Sequence, residues 1–410
     1  MISNLIRKNP KIMIFYSFQI SYSLTISIVI PFFFIILLDA NWTAKEITYF
    51  FAFFTLGSFF FSPIVGKIFD EIGRKKIIKI GLIMEDIFFF SYFFFTQYQS
   101  LIYIIRFLNG IGSACVVVVA LSAFEDSIKK NRGFWTGLFL SLGTIGALLG
   151  PIIAGFIANW YYSKMLLLAG VFFSIVSIFL LALKTKKKIK KKKITIKDFN
   201  LFLEIKEYLK FKELQGMALL GILMNSKNQI YVIFFPILVI ENLGLNEISL
   251  GILLSIPVFF HIFQVYFGKI ADKVSAEFGI MFGVLLVAGS FLFIPYANSF
   301  SLLFILLLVY GIGGSIWNVN AWSLMGRIAK EKDIEGEVIG SYSSISKLGM
   351  FIATLISASL VGIFGIAGTL QLFAIVIIIG NVFAYFFFEP IFHHKRNKSY
   401  FHEVVSVKDD

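Results

Sequence analysis

The sequence predicts an all-α polytopic membrane protein, twelve transmembrane helices arranged as two parallel six-helix repeats. Three observations carry that expectation. Of 410 residues, 58% are hydrophobic and only 15% charged, where an ordinary soluble domain has roughly 25% charged residues. A helix needs about 20 apolar residues to cross a bilayer, and the chain has material for twelve such crossings with short connections. The glycine and charge pattern of the first half then returns in the second at a nearly constant spacing. A transmembrane β-barrel is excluded, because its strands alternate apolar and polar residues while 28–38 and 302–310 are apolar on every side.

In chain order, apolar runs predict spans over 11–38, 47–69, 77–96, 101–123, 134–157 and 163–183, then over 215–240, 248–269, 278–296, 301–325, 337–361 and 366–388. The first follows Arg7, Lys8 and Lys11, as in a signal peptide, but its apolar core is too long and no small-x-small cleavage site follows. It is expected to stay as a span. The organisation predicted is a six-helix half over 1–183, a basic linker over 184–213, a second six-helix half over 214–390 and a tail over 391–410.

Positive charge falls on one side. Counting alternate connections puts 32 of the 37 Lys and Arg with the termini and linker, 2 (Lys45 and Lys164) opposite, and 3 (Arg106, Lys227 and Lys347) within spans. Cytoplasmic loops carry such an excess, so both termini are expected in the cytoplasm of a multi-pass protein of the cell membrane. The linker opens at 184–193 with eight lysines in ten residues and runs into a mixed apolar and charged stretch over 199–214. That composition suits a helix lying on anionic lipid, and no nucleic-acid partner is expected. Cys115 is the sole cysteine, which excludes an internal disulfide, and His261, His393, His394 and His402 show no metal-ligand spacing. Neither metal nor cofactor is expected, and the chain is expected to act as a monomer.

The internal repeat can be followed residue by residue. Gly66-Lys67-Ile68-Phe69-Asp70 answers Gly268-Lys269-Ile270-Ala271-Asp272 at an offset of 202, and Gly110-Ile111-Gly112 answers Gly311-Ile312-Gly313 at 201. Gly133, Gly137 and Gly146 answer Gly336, Gly340 and Gly349 at 203, and Pro31 answers Pro236 at 205. In transporters built from parallel repeats the substrate site lies between the halves near mid-membrane. The duplication therefore points to transport.

Between the second and third spans stands Gly66-Lys-Ile-Phe-Asp70-Glu-Ile-Gly73-Arg74-Lys75. Gly66 permits close helix approach, Asp70 can face the positive end of a helix, and Arg74 and Lys75 are placed to meet Glu125 and Asp126 at the end of span four. This stretch resembles the signature of the major facilitator superfamily, Gly-x-x-x-Asp-x-x-Gly-Arg-Arg/Lys. Gly268 and Asp272 copy part of it, but Ser275 and Ala276 stand where Gly and Arg are expected, which implies a weaker latch there. Arg106-Phe-Leu-Asn109-Gly110-Ile-Gly112-Ser-Ala114 is similar to that family's fourth-helix pattern. Gly143-x-x-Gly146-x-x-x-Gly150-Pro151-x-x-x-Gly155 in span five resembles the motif that marks its proton-coupled exporters, drug antiporters above all. The resemblance covers nearly the whole chain outside linker and tail. It implies the twelve-helix fold of that family and a central cavity lined by helices one, four, seven and ten.

Ionisable groups facing lipid are costly, so those within spans are functional candidates by default. Arg106, about 9 Å from the outer end of span four, either snorkels outward or handles protons or substrate in the cavity. Lys227, within Asn225-Ser226-Lys227-Asn228-Gln229, and Lys347 fall near the middle of spans seven and eleven. With Gln19 and Tyr22 from span one and Asn318 from span ten, they form a candidate set that favours a carboxylate or phosphate. The exporter motif points instead to lipophilic cations handled by carboxylates. The acids within spans are Glu85 and Asp86, on the third helix, which is peripheral in the family; they are either structural partners of basic residues or proton carriers. His261 in span eight is either a packing residue or a proton carrier.

The sequence thus predicts a secondary active transporter, not an enzyme, moving a small organic solute by alternating access. Proton-coupled export of the multidrug-efflux kind is the leading expectation. An organic-anion transporter or exchanger is the rival, and a non-transporting membrane receptor the third. No Walker pattern occurs, which leaves a gradient as the energy source.

Overall fold

A computed structural model describes residues 10–125, 132–182, 201–264, 266–267, 275–332 and 335–395. Every element among the described residues is helical. The first six spans are Pro10–Val29 continued by Ile30–Phe32 and Phe33–Leu38, then Ala44–Ile72, Arg74–Phe95, Gln99–Glu125, Arg132–Trp160 and Met165–Ala182. The second six are Lys212–Ile237 continued by Leu238–Asn242, Glu247–Phe259 continued by Phe260–Phe263, Ala276–Phe293 continued by Ile294–Tyr296, Phe300–Lys332, and the two arms 335–364 and 366–395 of Glu335–Lys395. Most boundaries fall within a few residues of the predicted runs; the tenth span continues to Lys332 rather than stopping at 325. Seven helical stretches among the described residues are long and apolar enough to cross a membrane on composition alone, the last, Ser341–Phe388, holding two of the twelve crossings.

Helix geometry loosens where proline removes an N–H and crowds the preceding turn. Pro31 sits in the 3₁₀ turn Ile30–Phe32, and Pro236 precedes the π-turn Leu238–Asn242, so the two prolines that mark the repeat distort corresponding spans in different ways. At the join of the last two spans Gly365 (φ 68°, ψ −179°) alone breaks the helix, in a conformation that a residue with a Cβ rarely adopts. The second span opens on a capping box: Thr43 N–H donates to Glu46 Oε2 at 2.8 Å, and Glu46 N–H donates to Thr43 Oγ1 at 3.3 Å.

Packing reproduces the repeat. The first span packs on the fifth and sixth, the second on the fourth, the third on the fourth and sixth; in the other half the seventh packs on the final pair and the ninth on the tenth. A Cβ at Gly81 would lie 2.7 Å from Gly112 O, and one at Gly283 2.8 Å from Gly313 O, so the third and ninth spans meet the fourth and tenth through matching glycines. The halves join through the second span on the final pair and the fifth on the eighth.

Apolar burial is uneven along the bundle axis. At the end away from residues 10 and 395, Phe32 to Leu37 of the first span and Ile230 to Val239 of the seventh share one buried cluster with the second repeat. Nearer the termini, Ile12, Phe15, Phe18, Phe124 and Phe139 form a separate cluster within the first repeat. Side chains of the first and seventh spans therefore meet across the halves at the far end.

The stretch over 199–214, expected on lipid, contains the helix Leu201–Tyr208, which packs on the final pair with Tyr208 buried. Protein covers that side chain because the seventh span starts at Lys212 and holds the short helix against the bundle. The lysine-rich 184–193 lies outside the described residues.

Candidate functional site

Each repeat buries ionisable side chains of both signs, Glu85 and Arg106 in the first and Glu277 and Lys227 in the second. In the first repeat Glu85, on the third span, is 1% exposed. Its Oε1 accepts a hydrogen bond from Tyr22 Oη of the first span at 3.2 Å, and its Oε2 has no partner. Ser113 of the fourth span sits beside the same tyrosine hydroxyl. The third helix, expected to be peripheral, thus points one carboxylate inward, and it unites two residues that the sequence placed in separate roles. Asp86, the next residue, is only partly buried, and its Oδ1 has no partner.

Further along the same face, Arg106 is also 1% exposed, so it does not snorkel. Its Nη1 donates to Asn109 Oδ1 at 2.7 Å, an oxygen that also accepts from Tyr92 Oη at 3.4 Å. The guanidinium carbon lies 4.6, 4.3, 5.5 and 4.3 Å from the ring centroids of Phe33, Phe50, Phe51 and Phe54, while Nε and Nη2 lack hydrogen-bond partners. Four ring faces replace water around a cation, an arrangement worth about 2 kcal/mol or more per desolvated contact of this kind. Three of those phenylalanines come from the run at 50–54, which composition alone could not tell from lipid-facing filler.

In the second repeat Lys227 of the seventh span is 2% exposed. Its Nζ donates to Tyr310 Oη at 2.7 Å, 4.2 Å from that ring's centroid. Tyr231, one turn on, stacks on Tyr310 at 5.1 Å and on Phe235 at 4.6 Å. His261 of the eighth span is exposed. The other cavity candidates disperse. Gln19 lies against Gly143, Asn225 Nδ2 donates to Gly221 O at 2.8 Å, Asn318 Oδ1 accepts from Trp322 Nε1 at 3.0 Å, and Asn228 is exposed. Lys347 Nζ donates to Ser62 Oγ at 2.7 Å, tying the eleventh span to the second across the halves.

The small residues of span five make two contacts. A Cβ at Gly143, Gly146 or Gly150 would meet Gln19, Ser23 or Ser27 of the first span at 2.6, 2.7 or 2.5 Å. A Cβ at Gly155 would meet Glu247 O of the eighth span at 2.5 Å, and one at Gly251 would meet Pro151 O at 2.3 Å. Ser255 Oγ donates to Leu148 O at 2.8 Å along the same seam. Gly73 caps the third span at φ 100°, the one place among the described residues of the latch motif where the backbone itself requires glycine. Asp126, Gly268 and Asp272, and the side chains around Gly66, Asp70 and Glu125, lie outside the described residues.

Sequence reasoning missed one ion pair. Glu277, fully buried at the start of the ninth span, pairs with Arg327 of the tenth. The repeat could have found it: Lys75 and Asp126 stand 202 and 201 residues earlier, at the matching places with the signs exchanged.

Twelve helices in two parallel repeats, with ionisable side chains buried inside each half, have the architecture of a secondary membrane carrier. The family model described as Major Facilitator Superfamily matches residues 15–260 and 217–409, and the chain belongs to that family. It is accordingly a multi-pass transporter of a small-molecule substrate rather than an enzyme. An uncharacterised MFS-type transporter of Methanocaldococcus jannaschii is 25% identical over 333 residues, 78% of this chain and 83% of the relative. The quinolone resistance protein NorA of Staphylococcus aureus is 24% identical over 366 residues, 86% and 90% of the two chains. Among solved structures the nucleoside transporter NupG superposes with a TM-score of 0.77 at 14% identity, covering 93% of this chain and 99% of that one, a likeness of fold.

Proposed function

We propose that the chain exports a small organic solute in exchange for protons, and that Glu85 carries the proton. The observation behind this is a carboxylate near the middle of the third span, out of water, with one oxygen on Tyr22 and the other without a partner. A charge buried that way is tolerated only when it can be neutralised, which makes a buried carboxylate a reversible proton carrier. The likeness to a resistance protein and the glycine-proline seam of span five support the outward direction. In this proposal the basic side, with both termini, faces the cytoplasm of the cell membrane, the lysine-rich linker rests on anionic lipid, and one chain is the working unit.

Proteoliposomes loaded with a pH dye test it. Adding a transported solute to the parent should move protons in the opposite sense, and Glu85→Gln should abolish that movement while retaining solute counterflow. Solute accumulation that persists unchanged after a protonophore collapses the pH gradient would sink the coupling.

A further inference from the structure

Resting on the transporter proposal, we infer that the second repeat recognises the substrate's charge: Lys227, beside Tyr231, Tyr310 and Phe235, binds the carboxylate of an aromatic organic anion. An ammonium has three donors and no acceptor. Lys227 uses one, on the neutral hydroxyl of Tyr310, and the described residues provide it no carboxylate. Tyr231, one turn further on the same face of the seventh span, has a buried hydroxyl with no hydrogen-bond partner. A lysine and a tyrosine hydroxyl aimed from one helix face are the donors that a carboxylate's two oxygens accept.

The walls fit the rest of such a ligand. Tyr231 lies nearly parallel to both Tyr310 and Phe235, at 25° in each case, with centroids 5.1 and 4.6 Å away. The outer faces of this stack are buried in the conformation described, and an aromatic guest would stack on one of them when the spans part. The sign of the charge rejects a lipophilic cation, which would meet an ammonium out of water with no counter-ion. A phosphate monoester is matched less well, because it carries nearly two negative charges at neutral pH against the one positive charge of Lys227. Here Tyr310 occupies the ammonium; the guest carboxylate replaces it when the seventh and tenth spans part.

Equilibrium binding to the full chain in detergent, with no gradient present, tests this with 2-naphthoate as probe. The parent should bind 2-naphthoate at least tenfold more tightly than 2-naphthamide or 2-naphthylmethylammonium. Lys227→Met should weaken 2-naphthoate at least tenfold and leave 2-naphthamide unchanged, Lys227→Arg should restore most of the affinity, and Tyr231→Phe should weaken it several-fold. Folding of each variant is followed by its unfolding midpoint, and the Arg and Phe variants carry the test alone if the Met variant does not fold. Equal binding of 2-naphthoate to the parent and to Lys227→Met, preference for the ammonium probe, or tighter binding of 2-naphthyl phosphate would each overturn the assignment. Because no proton movement is measured, such failures leave the export proposal standing. Loss of solute-driven proton flux with naphthoate binding intact would instead strike that proposal alone.

Discussion

Tyr22 Oη donates to Glu85 Oε1 across 3.2 Å, and among the described residues it makes the only hydrogen bond to that carboxylate. That contact ties the carboxylate of the third span to the first. Tyr22→Phe should slow solute-driven proton movement and lower the unfolding midpoint, leaving a buried acceptor unmet at a cost of about 1–3 kcal/mol. Glu85→Gln should hold or raise the midpoint while stopping the flux. A paired measurement of thermal unfolding and pH-dye flux separates the two variants.

Arg106 among four phenylalanines predicts that charge alone is not enough. Arg106→Lys keeps the cation but loses the flat face that stacks on Phe50 and Phe54. The unfolding midpoint should fall by the equivalent of about 2 kcal/mol. Phe54→Leu should produce part of the same loss, and the double variant should cost less than the sum.

Gly155 and Gly251 set how closely the fifth and eighth spans meet. Gly155→Ala places a methyl 2.5 Å from the Glu247 carbonyl, which only a shift of backbone relieves. The contact lies between the halves at the end away from the termini, so the variant should favour a conformer in which the halves stand further apart there. Spin labels on Asn159→Cys and Asn246→Cys, with Cys115→Ser, should report a longer mean distance in Gly155→Ala than in the otherwise matched protein.

The Glu277–Arg327 pair is asymmetric, because Glu277 is fully buried and Arg327 is about one-third exposed. Arg327→Gln strands the buried carboxylate and should destabilise by about 3–5 kcal/mol, and Glu277→Gln by less. Exchanging the two, Glu277→Arg with Arg327→Glu, should recover part of that loss, since the first repeat already carries the exchanged signs at Lys75 and Asp126. Unfolding midpoints of the parent, Glu277→Arg, Arg327→Glu and the exchanged double variant form the cycle that checks the recovery.

The capping box gives a pH dependence outside the membrane. The Thr43 backbone N–H holds the Glu46 carboxyl below its usual value. A depressed carboxyl contributes stability that is fully present above its unfolded value and lost as pH falls through the folded one. Glu46→Ala, which removes the carboxylate that accepts from Thr43, should therefore destabilise by about 1 kcal/mol at neutral pH, with the difference from the parent narrowing in acid.

Much of the fold was legible because lipid imposes a simple rule: apolar runs, basic loops and the glycine offsets located the twelve spans. The site was less so. Lys227, Arg106 and Glu85 stood out as charges among apolar residues, but their partners did not, since Tyr310 and Phe54 lie far away in the chain and belong to abundant residue types. Gln19 and Asn318 looked like cavity residues because amides in spans are rare, yet one packs on Gly143 and the other accepts from Trp322 one turn along. Pairing across helices depends on rotation about each axis, which hydropathy does not fix. Glu277 escaped notice because it begins a helix beside a loop, where a carboxylate in solvent would be ordinary.

On the side away from the termini, consecutive spans are joined by at most five residues, and the last two by Gly365 alone. So little chain stands clear of the bilayer there that an antibody has no surface to grip and a protease added from that side has almost no extended segment to cut. Topology mapping from that face therefore calls for inserted tags or single introduced cysteines, and the neighbourhood of Gly365, with no loop to lengthen, is the least forgiving place to put one.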